Sequence, residues 1–319
     1  MSTASVYIGI DIAKAELVAA TPTADLCRVP NTPDGFRTLI AHVGRQPVAG
    51  VVMESTGCYG REVAAALTAA GYQVAIVQPG RVRHFAASIG VRAKTDPIDA
   101  RVIARFAEAT KPRPTAPPSA EIVKLRALVD RRDQLIEMRK QEENRLESVA
   151  DQVIAKELTA SIKRLVAAEE RYTKQIATCI DAHPEFQRIS ERLQEESGVG
   201  PQTAAVLLAH FPELGRINRQ QAAALAGLAP YDHASGTRDG KRAIYGGRKR
   251  IRRALYIAAV SAARWSPWLK DVYANLRAKG KCAKVALIAC ARKLLVRLNS
   301  LAAMALRLSS LYIAPQPTT

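Results

Sequence analysis

Residues 5–10, Ser-Val-Tyr-Ile-Gly-Ile, alternate like a strand that ends at Asp11. Val6, Ile8 and Ile10 fall on one face; Tyr7, Gly9 and Asp11 fall on the other. Segments 16–21 and 25–30 read as two further strands, joined by a turn around Pro22 to Asp25. The apolar run 48–54 is a fourth strand ending at Glu54, and 73–77 is a fifth. Helical periodicity covers 34–44, 60–70, 81–89 and 97–109, so the predicted order is β-β-β-α-β-α-β-α.

Three meander strands followed by alternating strands and helices make the ribonuclease-H topology, an α/β domain expected over 1–112. Pro112, Pro114, Pro117 and Pro118 mark a linker. No proline occurs from 119 to 183, where Leu125, Leu128, Leu135, Leu146, Val149 and Val153 fall on an approximate heptad seam broken by Arg132, Arg139 and Glu142. One or two long helices are expected over 119–190, either an imperfect coiled coil, which implies dimerisation, or a helical hairpin packed on its own domain. An all-α region, 191–315, opens with Gly198-Val199-Gly200-Pro201, carries a Gly-rich loop at 227–247 and ends in basic helices.

Charge narrows the partner. The 319 residues carry a net charge of +18, and residues 236–297 hold 17 Lys and Arg against two acids, Asp239 and Asp271. A solvated helical face usually carries compensating Glu; this block does not, and nucleic acid is the first candidate to neutralise it. The five cysteines are scattered, which argues for a reducing cytoplasm and against disulfides or a zinc site. Asp11 comes too early for a secretory signal, and charges interrupt every apolar run before the ~18 residues of a membrane span. A soluble, cytoplasmic, nucleoid-associated protein without membrane contact is expected.

Two strands thus end in acids, Asp11 and Glu54, and Asp96 and Asp99 open the last helix of the unit. In the predicted topology strands one and four are neighbours and that helix crosses the same edge. Carboxylates gathered there suit two divalent cations roughly 4 Å apart, Mg²⁺ or Mn²⁺, acting on a phosphodiester. Gly9 is expected to leave room for a phosphate. Singly, each acid has a plainer reading: Asp is common at strand ends, and Asp96 (N-cap), Pro97 (N1) and Asp99 (N3) make a good helix start.

Ser197-Gly198-Val199-Gly200-Pro201 resembles a helix-hairpin-helix turn, whose glycines let backbone N–H groups approach a phosphate; a tight turn between packed helices is the alternative. Ser235 lies in a loop followed by Lys241, Arg242, Arg248, Lys249, Arg250, Arg252 and Arg253. Cations of that kind would offset charge developing on an attacking serine, although Ser-Gly is also a common turn pair. His233 reads as a polar loop residue. Trp265 and Trp268 read first as core anchors, with base stacking second.

The stretches Tyr7-Ile8-Gly9-Ile10-Asp11, Met53-Glu54-Ser55-Thr56-Gly57 and Lys94-Thr95-Asp96-Pro97-Ile98-Asp99-Ala100 together resemble the DEDD transposases of the insertion-sequence one-ten family. Ser197 to Pro201, Gly227-Leu228-Ala229-Pro230, Ser235-Gly236 and Gly246-Gly247-Arg248 resemble that family's C-terminal transposase domain, and the likeness runs from about 5 to 300. The resemblance implies a RuvC-like first domain with Asp11, Glu54, Asp96 and Asp99 as the metal-binding quartet. It makes Ser235 the nucleophile of a covalent phosphoserine link to DNA. It also implies a structured non-coding guide RNA, the bridge RNA, pairing with donor and target DNA, and dimers or tetramers in which one protomer's metal domain meets another's serine domain.

The expected function is therefore strand exchange by a DNA transposase through a Holliday junction. Gly198, Gly200, Lys241, Arg242, Arg248, Lys249, Arg250, Arg252 and Arg253 are expected to hold nucleic acid in the second half. Arg81, Arg83, Arg92 and Lys94 are expected to do so near the metals. Rival readings are a junction nuclease using water, a binding scaffold without chemistry, and a transposase that reads DNA without RNA.

Overall fold

The computed structural model describes residues 5–55, 57, 59–91, 96–231 and 243–312, and only the backbone of 96–98 and 308–312. The chain forms two compact units, Met1–Pro118 and Ser119–Thr319.

In the first unit, strands β1 (Val6–Ile12), β2 (Glu16–Ala20) and β3 (Asp25–Pro30) make an antiparallel meander. Helix α1 (Pro33–Val43), β4 (Val48–Glu54), α2 (Arg61–Ala69), β5 (Val74–Val77), α3 (Pro79–Ser88) and α4 (Asp96–Thr110) follow. The sheet order is β3-β2-β1-β4-β5, with β4 parallel to β1 and β5 parallel to β4. This is the expected ribonuclease-H-like topology.

Alternation along β1 sorts the two layers. Ile8, Ile10 and Ile12 are buried against Phe36, Leu39 and Val43 of α1 and Val63 and Leu67 of α2. The opposite face packs Val52 of β4 and Val77 of β5 against Val102, Ile103 and Phe106 of α4. Helix α1 starts where its sequence directs: Thr32 caps it by accepting from the Gly35 N–H, and Pro33 occupies the first turn. The proline-rich stretch after α4 is more than a spacer. Thr115 donates its N–H to Val74 O (2.8 Å) and its Oγ1 accepts from Ile76 N (3.0 Å), which covers the free edge of β5.

The second unit begins with two long helices, α5 (Ala120–Ser148) and α6 (Gln152–Asp181). They form a hairpin cross-linked by Arg139 to Glu169. Burial along the expected heptad seam is confined to its root: Leu125 and Leu135 are buried, Val149 lies past the end of α5, and Val153 is 76% exposed. Leu125 and Val129 share a core with the helices that follow, within one compact unit. Those helices are α7 (Pro184–Gln194), α8 (Pro201–His210) and α9 (Arg219–Ala226), then a two-residue ladder of β6 (Pro230–Tyr231) and β7 (Ala243–Ile244), then α10 (Lys249–Trp265), α11 (Pro267–Ala278) and α12 (Ala283–Tyr312). Among the described residues no helix is long and apolar enough to cross a membrane.

Candidate active site

The parallel pairing of β1 and β4 sets Ile10 opposite Met53, so Asp11 and Glu54 stand at neighbouring positions on adjacent strands. Alternation puts both on the α4 side of the sheet: Gly9, two residues before Asp11, faces α4, and Val52, two before Glu54, packs against it. A Cβ on Gly9 would lie 2.2 Å from Ala100 O and 2.4 Å from Ala104 N. The missing side chain therefore admits the helix backbone, which corrects the expectation that Gly9 makes room for a phosphate. Ala100 also clusters with Val18, the cross-strand partner of Asp11. The first turn of α4, with Asp96 and Asp99, is thereby held over the strand end that carries Asp11.

Position and cage are different matters. Asp11, Glu54 and Asp99 are half-buried. Among the described residues no three His, Cys, Asp or Glu side chains gather as a ready metal cage, and the Asp96 side chain lies outside them. Helix α4 is fixed further by Arg101, which donates from Nε and Nη2 to the two Asp25 oxygens (2.7 and 2.6 Å). That guanidinium holds the Asp25 carboxyl below its usual range. Arg81 and Arg83 are exposed on α3, with Arg81 5.3 Å from the Phe106 ring centre. Arg92 and Lys94 lie outside the described residues.

In the second unit, Ser235, His233, Lys241 and Arg242 lie outside the described residues, but the stretches on either side of them are paired. Pro230 pairs with Ile244 and Tyr231 with Ala243. Gly227 (φ 69°) and Gly247 (φ 67°) touch backbone to backbone; a Cβ on Gly247 would lie 2.1 Å from Gly227 N. Arg252 Nη1 donates to Gly246 O (2.6 Å) and Gly227 O (3.3 Å), joining the two ends.

Arg252 is thus turned inward, and so are two neighbours assigned to phosphates from sequence. Arg248 grips both Glu213 oxygens at 2.6 Å and donates to His210 O. Burial raises the Glu213 carboxyl, but the Arg248 pairing outweighs it and leaves the group below its ordinary value. Arg250 pairs with Asp130 and Asp133 of α5. His210 Nε2 lies 3.2 Å from Asp130 Oδ1, off the line a hydrogen bond needs. Burial, followed by the facing Arg250, lowers its pKa from 6.5 to about 4. Among the described residues of the run, Lys249 and Arg253 are exposed.

The two turn glycines also divide. A Cβ on Gly198 (φ 89°) would lie 2.6 Å from Ala258 O and 2.7 Å from Ala262 N of α10, so this residue serves helix packing; nothing lies within 4 Å of the same position on Gly200.

Two family models fit the chain. One, described as a transposase with a DEDD domain of the IS110 type, matches residues 8–155; the other, transposase IS116/IS110/IS902 family, matches 190–274. The pilin gene-inverting protein of Moraxella bovis is 32% identical over 302 residues, covering 91% of this chain and 93% of that protein. Its counterpart from Moraxella lacunata is 31% identical with the same coverage. An uncharacterized 43.6 kDa protein of insertion element IS110 from Streptomyces coelicolor is 31% identical over 172 residues, 52% of this chain and 39% of that one.

The chain belongs to the IS110 family of transposases.

As an IS110-family protein it is a DNA transposase or recombinase, and its DEDD domain is of a kind that uses divalent metal. The family match spans both constellations, the strand ends in one unit and the stapled loop in the other. Sequence reading missed the inward turn of Arg248, Arg250 and Arg252. Their partners are 35 and 117 to 120 residues away for the first two, a separation at which local charge patterns carry no signal.

Proposed function

We propose that this IS110-family enzyme exchanges DNA strands with Ser235 as nucleophile and Asp11, Glu54, Asp96 and Asp99 as holders of Mg²⁺ or Mn²⁺. The observation carrying the metal half is the β1–β4 register, which sets Asp11 and Glu54 side by side beneath the start of α4. Their carboxylate oxygens are the hard donors such cations favour. When bound, the cations would offset charge building on the phosphate oxygens.

Ser235 Oγ loses its proton and forms a bond to phosphorus as one phosphodiester P–O bond breaks, and the departing oxygen takes up a proton. The covalent phosphoserine conserves the bond energy. A hydroxyl of the partner strand then attacks the same phosphorus, restoring Ser235 and joining new strands. A structured guide RNA pairs with donor and target, and the metal domain of one protomer meets the serine loop of another in a dimer or tetramer. The conjunction of the DEDD strand ends with a loop closed at its base by Arg252 supports this division of labour.

Denaturing gels of labelled DNA after reaction test the reading. The wild-type protein should give a protein–DNA adduct that Ser235→Ala abolishes. Continued cutting by Ser235→Ala without an adduct would favour water as nucleophile. Recombination by protein stripped of RNA would remove the guide RNA from the account.

A further inference from the structure

Helix α10 contains no acidic residue, and its buried positions, Ile251, Leu255, Ala258, Ala259 and Ala262, face the core. Its exposed positions are Lys249, Arg253, Ile257, Arg264 and Trp265. Lys249, Arg253, Ile257 and Trp265 lie on one i, i+4 ridge, with Ser261 half-buried between the last two. At 1.5 Å per residue the ridge is about 24 Å long.

Trp265 is 76% exposed, an unusual state for a residue that is highly buried on average. The contrast with Trp268 is sharp. That ring donates its Nε1–H to Glu196 (2.7 Å) and carries the Arg297 guanidinium 5.3 Å from its centre, so it anchors α11 to the core. Among the described residues no comparable hydrogen bond or cation is placed on Trp265. Tyr231 and Tyr245 at the foot of the serine loop are exposed as well, and Tyr245 stands three residues before the N-cap Arg248.

Along α10 the outer positions carry cations and one exposed ring, with no acid on the helix. A protein partner seated by the hydrophobic effect needs a contiguous apolar patch. A duplex offers phosphates but keeps the faces of its bases stacked inside. Unpaired nucleotides offer both a charged backbone and flat apolar faces. We propose that the outer ridge of α10 binds a single-stranded nucleic acid segment, with Trp265 stacking on a base and Lys249, Arg253 and Arg264 meeting phosphates. The proposal does not depend on Ser235 being the nucleophile.

The test titrates the full chain with a homothymidine strand, a homouridine strand and a blunt duplex of equal length, following tryptophan fluorescence. Both single strands should quench the exposed indole, and any difference between them separates DNA from RNA as the preferred occupant. Trp265→Ala should weaken single-strand binding about tenfold, and Trp265→Phe, which keeps a stacking face, should recover most of it. Removing Lys249 and Arg253 together should reduce the salt dependence by roughly two ion equivalents. Thermal melts are expected to be unchanged, because none of these side chains is buried. The proposal is overturned if Trp265→Ala binds single strands as tightly as wild type, if duplex quenches as strongly as single strands, or if Trp265→Ala lowers the oligomeric mass in light scattering. In that last case a second copy covers the ring. Loss of the adduct in Ser235→Ala with the ridge still binding would leave this proposal standing.

Discussion

The two groups of residues proposed for the chemistry have opposite kinds of support. The acids at positions 11 and 54 end strands in the middle of a sheet, and α4 is pressed onto them through Gly9. Among the described residues, the segment that carries Ser235 is joined at its two ends, where Gly227, Gly246, Gly247 and Arg252 meet. A site built on strand ends is fixed by the core beneath it. A site on a loop depends on a few polar latches, and here the latches come from the basic run that reads from sequence as nucleic-acid contacts.

Substitutions that separate these modes sharpen the contrast. The largest effect is expected from Asp11→Asn or Glu54→Gln, which should lower strand exchange by about 10³-fold or more while the protein stays folded, since neither change removes buried apolar packing. Gel assay of exchange and a melting curve on the same preparation check this. Gly9→Ala is the structural counterpart. Its Cβ meets backbone rather than a yielding side chain, so α4 must lift, at a cost of about 3 kcal/mol or more in the first unit, read from denaturant unfolding.

Next come two arginines one position apart. Arg252→Ala should free the ends of the loop: exchange falls about 10- to 100-fold, amide exchange speeds up at 227 and 246, and DNA affinity changes little. Arg253→Ala should do the reverse, reducing the salt slope of DNA binding by roughly one and leaving the loop protected. If the two variants behave alike, the distinction between latch and contact fails.

The smallest effect concerns pH. His210 has a folded pKa of about 4, well below its ordinary 6.5, so the unfolded chain binds the proton more readily across that window. Its contribution to stability is full above 6.5 and fades as pH falls toward 4. Glu213, held below its ordinary value by Arg248, loses its contribution at more acid pH still. The midpoint of unfolding should therefore drop between pH 6.5 and 4, and His210→Asn should flatten that part of the curve. The groups facing His210 are Arg250 and Arg126, which oppose its protonation, and Asp130 and Asp133, which favour it.

How much was legible follows from the same contrast. Period-two alternation, turn residues and the proline breaks were enough for the sheet and its order, because in unit one each element's burial is written in its own neighbours. Asp11 and Glu54 stood out because an acid ending an apolar strand is visible locally. Gly9 was visible as a glycine, but not the helix that fills its space, because Ala100 and Ala104 are some ninety residues on. Along the heptad seam from 125 to 153, spacing alone does not say how far the chain's own helices cover it, and within this chain burial stops after Leu135. The basic run was less legible: Arg250 and Arg253 look alike in sequence, and Asp130 and Asp133, brought in by α5, distinguish them.

The central claim is that the strand ends and the start of α4 form one cation site. Anomalous diffraction from crystals grown with Mn²⁺ tests it most directly. The expected result is a peak bounded by Asp11, Glu54 and the first turn of α4, absent in Asp11→Asn. A wild-type protein that recombines DNA in Mn²⁺ while showing its manganese elsewhere, or none at that point, would contradict it.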